Sequence, residues 1–454
     1  MANKKQRVLI GLSGGVDSAV SAYLLLKAGY EIEGAFMKNW SSTAGLKVAD
    51  CPWLQDRQEA LRVAAHLGIP LHTLDFEHQY SKNVMDYFFR EYKAGRTPNP
   101  DVMCNKEIKF KLLYNWAIKN GFDYLATGHY AQIAESRVMN HESGKLQSTL
   151  SVSRRDISPK GGEKDRKPHA SRLTPHYSLM RSRDEFKDQT YFIYNIKQEQ
   201  LPHVLFPIGG MKKPEVKKLA KKIGLPNAHR KESMGLCFVG KIRLKDFLEQ
   251  KVKAKPGKIM LESRIKNQES SQLQPTLSVS QLDISPKGGE KDRQSHSSLL
   301  TPQAYTVLGT HSGLHNYTIG QRQGIRVGGG DGPYYVLRKD LKKNILYVTQ
   351  DANDPALEVR EVELHSVNWI TAADVSNETR ALSNTKKHLG SRLTAHTSLL
   401  ARYRHQGELV PCTIEKQKKD TYLVKFKTPQ KALASGQSVV LYSGKMCLGG
   451  GAIA

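Results

Sequence analysis

Eight residues near the start, Gly11-Leu12-Ser13-Gly14-Gly15-Val16-Asp17-Ser18, constrain the fold more than any other part of the chain. They follow an apolar run over 7–11 that reads as a buried strand. They open a segment over 17–27 that reads as a helix, with Ala19, Val20, Tyr23, Leu24 and Leu25 apolar. Glycine lets a backbone turn tightly and come close to a ligand. The backbone N–H groups, the Ser13 and Ser18 hydroxyls and the positive end of the helix then form a cradle for an anion. No Gly-Lys-Ser/Thr closes the loop, so it is not a Walker A motif, and it is not G-x-G-x-x-G either. Strands over 31–37, 71–76 and 124–127 alternate with helices over 59–67, 84–92 and 108–120. That order predicts an α/β domain with a doubly wound parallel sheet. Ligands of such sheets bind beyond the carboxyl ends of the strands. Met37, at the end of the second strand, and Gly128, in Ala126-Thr127-Gly128-His129-Tyr130, therefore share a side with the glycine loop. Met37 reads equally as core, and His129 equally as a structural histidine.

From about residue 257 the texture changes. Gly, Thr, Tyr and Val rise, and short strands are expected at 334–337, 345–348, 412–415 and 422–426. The expected plan is a nucleotide domain over 1–205, a small central domain over 206–345 and a C-terminal β-barrel over 346–454. A sequence near 147–175 (QSTLSVSRRDISPKGGEKDRKPHASRLTP) returns 127 residues later as QPTLSVSQLDISPKGGEKDRQSHSSLLTP. An offset that long is not a solenoid period. Poor in large apolar residues, the copies read as solvated, disordered inserts at about 138–178 and 263–304, with a third at about 377–398. A basic RNA-gripping arm is the functional alternative.

The formal net charge is +26 over 454 residues. The three inserts carry +8 of it, so the remainder holds +18 and predicts an anionic partner, nucleic acid before membrane. No window approaches 18 apolar residues, which argues against a membrane span. The short apolar start reads as a strand rather than a secretion signal. Five cysteines, Cys51, Cys104, Cys237, Cys412 and Cys447, make no disulfide scaffold. Without a CxxC pair no zinc site is expected, and a cytoplasmic protein with a few thiols fits.

Two of those thiols sit in loops bounded by Gly or Pro. Cys104 lies in Gly95-Arg96-Thr97-Pro98-Asn99-Pro100-Asp101-Val102-Met103-Cys104-Asn105-Lys106. Two prolines hold Asn99 off regular structure, and Lys106, Lys109 and a helix start predict a lowered thiol pKa. An inert buried cysteine is the plain alternative. Cys237 lies in Gly235-Leu236-Cys237-Phe238-Val239-Gly240, 133 residues further on. Such a pair, if it meets in space, can pass sulfur, one thiol carrying a persulfide that the other attacks.

The loop SGGVDS resembles the PP-loop of ATP pyrophosphatases. With FMKNW, the Cys104 run, LATGHY, KDQTYF, GLCFVG, YTIGQRQG, ARYR and CLGGG, the chain resembles the bacterial tRNA 2-thiouridylase family over nearly all its length except the inserts. Met234 departs from the Thr more usual there. The resemblance implies ATP contacts from Gly11 through Ser18, Met37 and Gly128, with Mg²⁺ bridging Asp17 and phosphate and no dedicated metal cage. It implies that Asn99, Pro100 and Asp101 approach the target base, that Cys104 is the nucleophile and that Cys237 carries the persulfide. A Cys104–Cys237 disulfide would close each turnover. Lys187, Asp188, Gln189, Arg402 and Tyr403 would touch tRNA. The implied reaction adenylates O2 of wobble uridine 34 and replaces it with sulfur, releasing AMP and pyrophosphate. A sulfur-relay protein or cysteine desulfurase would load the sulfur. Another PP-loop ligase, of amidotransferase or lysidine type, or a non-catalytic RNA-binding protein, are the alternatives.

Overall fold

The computed structural model describes residues 5–40, 52–138, 153–154, 174–231, 248, 251–263, 304–325, 327, 332–370, 399–417 and 420–454. Most of the three inserts, Cys51, and the Cys237 run lie outside the described residues. The chain divides into two compact units, 1–253 with 358–454, and 254–357.

The larger unit begins with β1 (Arg7–Gly11), α1 (Val16–Lys27), β2 (Glu31–Lys38), α2 (Pro52–Leu67) and β3 (Leu71–Asp75). A helical run follows, α3 (Glu77–Tyr80), a π-wound stretch (Ser81–Met85) and α4 (Asp86–Lys93). A second run comprises α5 (Pro100–Cys104), a π-wound stretch (Asn105–Leu113) and α6 (Tyr114–Lys119). Next come β4 (Tyr124–Ala126), β5 (Ala131–Val138), β6 (Ser153–Arg154), β7 (Thr174–Arg181), α7 (Thr190–Ile193), β8 (Val204–Leu205) and α8 (Lys213–Lys222). Strands β3-β2-β1-β4-β8 form one sheet, parallel throughout. Alternation along β1 shows why it is doubly wound. Val8 and Ile10 join a core with Ala19, Val20 and Leu25 of α1, Val63 of α2 and Val216 of α8. Leu9 joins the opposite core with Phe88, Ile108 and Leu113. Strand order reverses between β1 and β4, the position where open α/β sheets bind ligands.

Pro100 does not keep its neighbourhood irregular, as the sequence suggested. Asn99 is the N-cap of α5, its Oδ1 accepting from the Val102 N–H at 3.2 Å, and Pro100 takes the first helical turn. Proline is suited to that place because its fixed φ matches and its missing N–H would be unpaired anyway.

The unit is completed by β13 (Glu358–Trp369), β14 (Leu399–Arg402), β15 (Val410–Lys416), β16 (Tyr422–Lys431), β17 (Ser438–Ser443) and β18 (Met446–Ile453). Their order is β13-β16-β15-β14-β17-β18, and β18 pairs back to β13, closing a six-stranded barrel. The glycines of the Cys447 run permit that closure. Gly449 has φ +136°, and a Cβ there would stand 2.0 Å from the Asn368 carbonyl oxygen. The hairpin β5–β7 adds to the barrel wall through Met180 and Leu179 opposite Met446 and Cys447, and β7 takes up 174–178, so the end of the span expected to be a disordered insert is instead a paired strand.

The smaller unit holds β9 (Gly257–Ser263), β10 (Ala304–His311), β11 (Tyr335–Asp340) and β12 (Ile345–Thr349) in the order β10-β9-β12-β11. Ile259, Leu314, Tyr317, Tyr334, Val336, Leu346 and Val348 form its core. Among the described residues, no helix is long and apolar enough to cross a membrane.

Candidate active site

Gly11 ends β1, and the loop turns at Gly14 (φ +75°) before Gly15 caps α1. No side chain caps that helix. The N–H groups of a helix's first turn have no intrahelical acceptor, so this end is suited to an anion. Ser18 is buried and donates to the Gly15 carbonyl at 3.0 Å, with the Ser13 hydroxyl 3.4 Å away. Behind the loop, the Gly14 carbonyl accepts from Asn227 Nδ2 at 2.9 Å and Arg230 Nη1 at 3.0 Å, and Arg230 is paired with Asp56. Gly128, just past β4, lies against the helix start; a Cβ on it would meet the Ser18 nitrogen at 2.7 Å. Met37 is half-buried near the end of β2. These features fit a nucleotide polyphosphate.

Asp17 is already engaged. Lys213 Nζ stands 2.8 Å from both of its carboxylate oxygens, and the Tyr130 hydroxyl donates to Oδ1 at 2.9 Å. Sequence reading missed Lys213, Tyr130, Asn227 and Arg230. Lys213 is 196 residues from its partner, and no local pattern announces such a pair. Among the described residues, no group of three His, Cys, Asp or Glu side chains could hold a metal ion.

Tyr130 ties the nucleotide loop to the next segment. Its N–H donates to Gln189 Oε1 at 2.9 Å, and the Gln189 N–H returns a 2.9 Å bond to the Tyr130 carbonyl. Lys187 is half-buried beside the Phe186 ring. Asp188 and Arg402, expected to touch RNA, are instead both buried and paired with each other at 2.8 Å. Tyr403 is half-buried, its hydroxyl donating to Gln430 Oε1 at 2.9 Å.

Pro100, Asp101 and Cys104 share one short helix, which Asn99 caps. The Thr97 N–H donates to the Ser435 carbonyl at 2.8 Å, so the barrel steadies the approach to that helix. Asn105 Nδ2 donates to the Phe192 carbonyl at 3.1 Å, linking its end to α7. Cys104 is only 3 % exposed. Burial pushes its thiol up to about 11, with a smaller opposing pull from Lys109 and a further push from Asp101. The expected acidic thiol is therefore not found. The cations are there, but desolvation of a thiolate outweighs them. Lys109 Nζ also lies 3.5 Å from His129 Nε2, while His129 Nδ1 is 2.8 Å from Thr127 Oγ1. Lys109 thus connects the thiol to the residue beside Gly128.

Burial, and then the Lys109 charge, hold the His129 pKa well below its ordinary 6.5. The unfolded chain therefore takes the proton first. His129's contribution is intact above about pH 6.5 and is lost as pH falls below it, at up to about 1.4 kcal/mol per pH unit. Urea midpoints at pH 7, 6 and 5 should fall less steeply in His129→Gln than in the parent. Parallel slopes would refute the assignment.

A glycine-turned anion cradle at the switch point of a parallel sheet, in one compact unit with a six-stranded barrel, defines a nucleotide-binding α/β protein with an appended barrel. Residues 6–159 and 162–241 match the family model described as tRNA methyl transferase HUP domain. Residues 292–350 match the tRNA methyl transferase PRC-barrel domain, and 360–453 the aminomethyltransferase beta-barrel domain. A tRNA-specific 2-thiouridylase MnmA of Pseudomonas fluorescens (strain SBW25) is 38 % identical over 454 residues, covering 99 % of this chain and 95 % of the relative. The same-named protein of Christiangramia forsetii is 38 % identical over 456 residues, covering 99 % and 100 %. A solved 4-thiouridine synthetase–RNA complex with bound ATP aligns at 17 % identity with TM-score 0.30, over 54 % of this chain and 50 % of that one, too distant to carry argument. The chain belongs to the MnmA family of tRNA-specific 2-thiouridylases.

Proposed function

We propose that this chain replaces O2 of wobble uridine 34 in tRNA with sulfur, giving 2-thiouridine, AMP and pyrophosphate. The observation that carries the reading is the Cys104 helix joined through Lys109 and His129 to the anion cradle, in a chain that matches the family end to end. A pyrimidine carbonyl oxygen is a poor leaving group, and ATP supplies the activation by adenylating it. The first turn of α1, Gly14 and Gly128 hold the phosphates, and Met37 packs on the adenine. Asp17 is already paired with Lys213, so Mg²⁺ accompanying ATP would draw its ligands from the phosphates and water rather than from that carboxylate.

Asn99, Pro100 and Asp101 bring the unstacked base to Cys104. Cys237, outside the described residues, brings the sulfur as a persulfide loaded by a cysteine desulfurase or a sulfur-relay protein. When the Cys104 thiolate attacks the Cys237 sulfur, the outer sulfur leaves with the electron pair as hydrosulfide, adds to C2 of the adenylated base, and the C2–O2 bond breaks as AMP departs with the oxygen. A Cys104–Cys237 disulfide remains for a reductant to open. Cytoplasmic reducing conditions suit that last step. Lys187, Gln189 and Tyr403 would meet the tRNA, lysine on phosphate and tyrosine stacked on a base. Asp188 and Arg402 serve them by holding their framework.

Burial disfavours the Cys104 thiolate, so its attack is expected to go with a rearrangement of the site around tRNA. The test is mass spectrometry of nucleosides from tRNA incubated with enzyme, ATP, Mg²⁺ and a persulfide donor. The parent should form 2-thiouridine. Cys104→Ala should form at most about a thousandth as much, a loss typical of removing a reacting group, while keeping tRNA-dependent ATP–pyrophosphate exchange. Undiminished product in that variant would show the thiol to be structural.

A further inference from the structure

Asp17 poses a problem of charge. It stands in the first turn of α1, where the loop is shaped for an anion, and a bare carboxylate there would repel phosphate. Lys213 faces it with an ammonium 2.8 Å from each oxygen. The place of Lys213 is built with care. It is the first residue of α8, its own N–H donates to Asp184 Oδ2 at 2.8 Å, and Pro214 follows within the first turn. The preceding Lys212 N–H bonds Glu215 Oε2 at 2.7 Å. The Lys213 residue is 8 % exposed, with its ammonium 5.8 Å from the centre of the Tyr130 ring. Tyr130 in turn donates to the same carboxylate. A buried ammonium is costly unless paired, so the fold has committed this lysine to Asp17.

We propose that Lys213 is a positioning residue of the nucleotide site: by neutralising Asp17 it keeps the phosphate cradle electropositive, as a divalent cation bridging Asp17 and phosphate would otherwise have to. The inference rests on the nucleotide-binding reading of the loop. The first-turn N–H groups then act on phosphate without a competing negative charge. Lys213 exerts its effect through the carboxylate, so removing the carboxylate should remove the need for the lysine.

Calorimetric titration of the full chain with ATP, without tRNA, reads this directly. Lys213→Met should weaken ATP binding about 30-fold or more. The double variant D17N/K213M should return to within about 5-fold of the parent, a recovery that a merely structural lysine would not produce. If K213M binds ATP like the parent, or the double variant stays as weak as K213M, the proposal fails. Should K213M not fold, the double variant decides alone, by the same 5-fold recovery or a loss beyond about 30-fold. A parent that binds no ATP overturns the nucleotide reading itself, whereas normal binding left unchanged by K213M overturns only the role of Lys213.

Discussion

Asp188→Asn should destabilise the protein by about 3–5 kcal/mol, the usual cost of breaking a buried ion pair from one side. Its side chain is fully buried and accepts from Arg402 Nη1 at 2.8 Å, Arg181 Nε at 3.4 Å, the Ser182 N–H at 3.2 Å and Thr190 Oγ1 at 2.9 Å. Arg181 ends β7, Thr190 opens α7, and Arg402 ends β14 of the barrel, so one carboxylate ties three segments together. An amide keeps the size but takes the balancing charge from Arg402 and leaves Arg181 with only the exposed Glu185, 3.9 Å away. Urea unfolding measures the loss. Adding Arg402→Met should recover part of it, because one stranded charge is removed with its partner. A loss under about 1 kcal/mol would show the network to be dispensable. Lost tRNA modification in Asp188 or Arg402 variants is then expected to follow lost stability rather than a lost RNA contact.

That reassignment marks where the sequence stops being legible. The Gly11–Ser18 loop declares itself because close approach of backbone to ligand demands glycines at set positions, and the alternation of elements over 7–127 follows from local periodicity. Both survive in the structure. Partner choice is not local. Nothing near Asp17 points to Lys213, and nothing near Asp188 points to Arg402, 214 residues away. Burial is equally hidden. Lys106 and Lys109 are visible beside Cys104, but the burial of the thiol is not, because the core that Cys104 joins is assembled from distant parts of the chain, α4, α7 and the barrel among them. Winding is hidden too: Asn105–Leu113 has an ordinary helical composition and still takes π turns. The antiparallel join of β7 to β18 was also unreadable, since the insert's repetitive sequence masks the strand beside it.

Gly128→Ala should cut ATP–pyrophosphate exchange by about 100-fold or more, the scale of loss expected when reacting groups shift by about 1 Å. The argument is one of space. A Cβ on Gly128 would lie 2.7 Å from the Ser18 nitrogen, 2.9 Å from the Asp17 carbonyl carbon and 3.0 Å from the Ser18 Cα. All three are backbone atoms, so no flexible side chain can yield. The helix start and the end of β4 must separate, and the first-turn N–H groups move with the helix. Overpacking of this kind costs about 1–3 kcal/mol in stability, which the fold can survive while the cradle loses its alignment. Gly210→Ala is the matched control, because nothing lies within 4 Å of its Cβ position, and it should leave exchange within about 2-fold of the parent. If Gly128→Ala binds ATP and exchanges pyrophosphate as well as that control does, the approach of β4 to α1 is not what aligns the phosphate cradle.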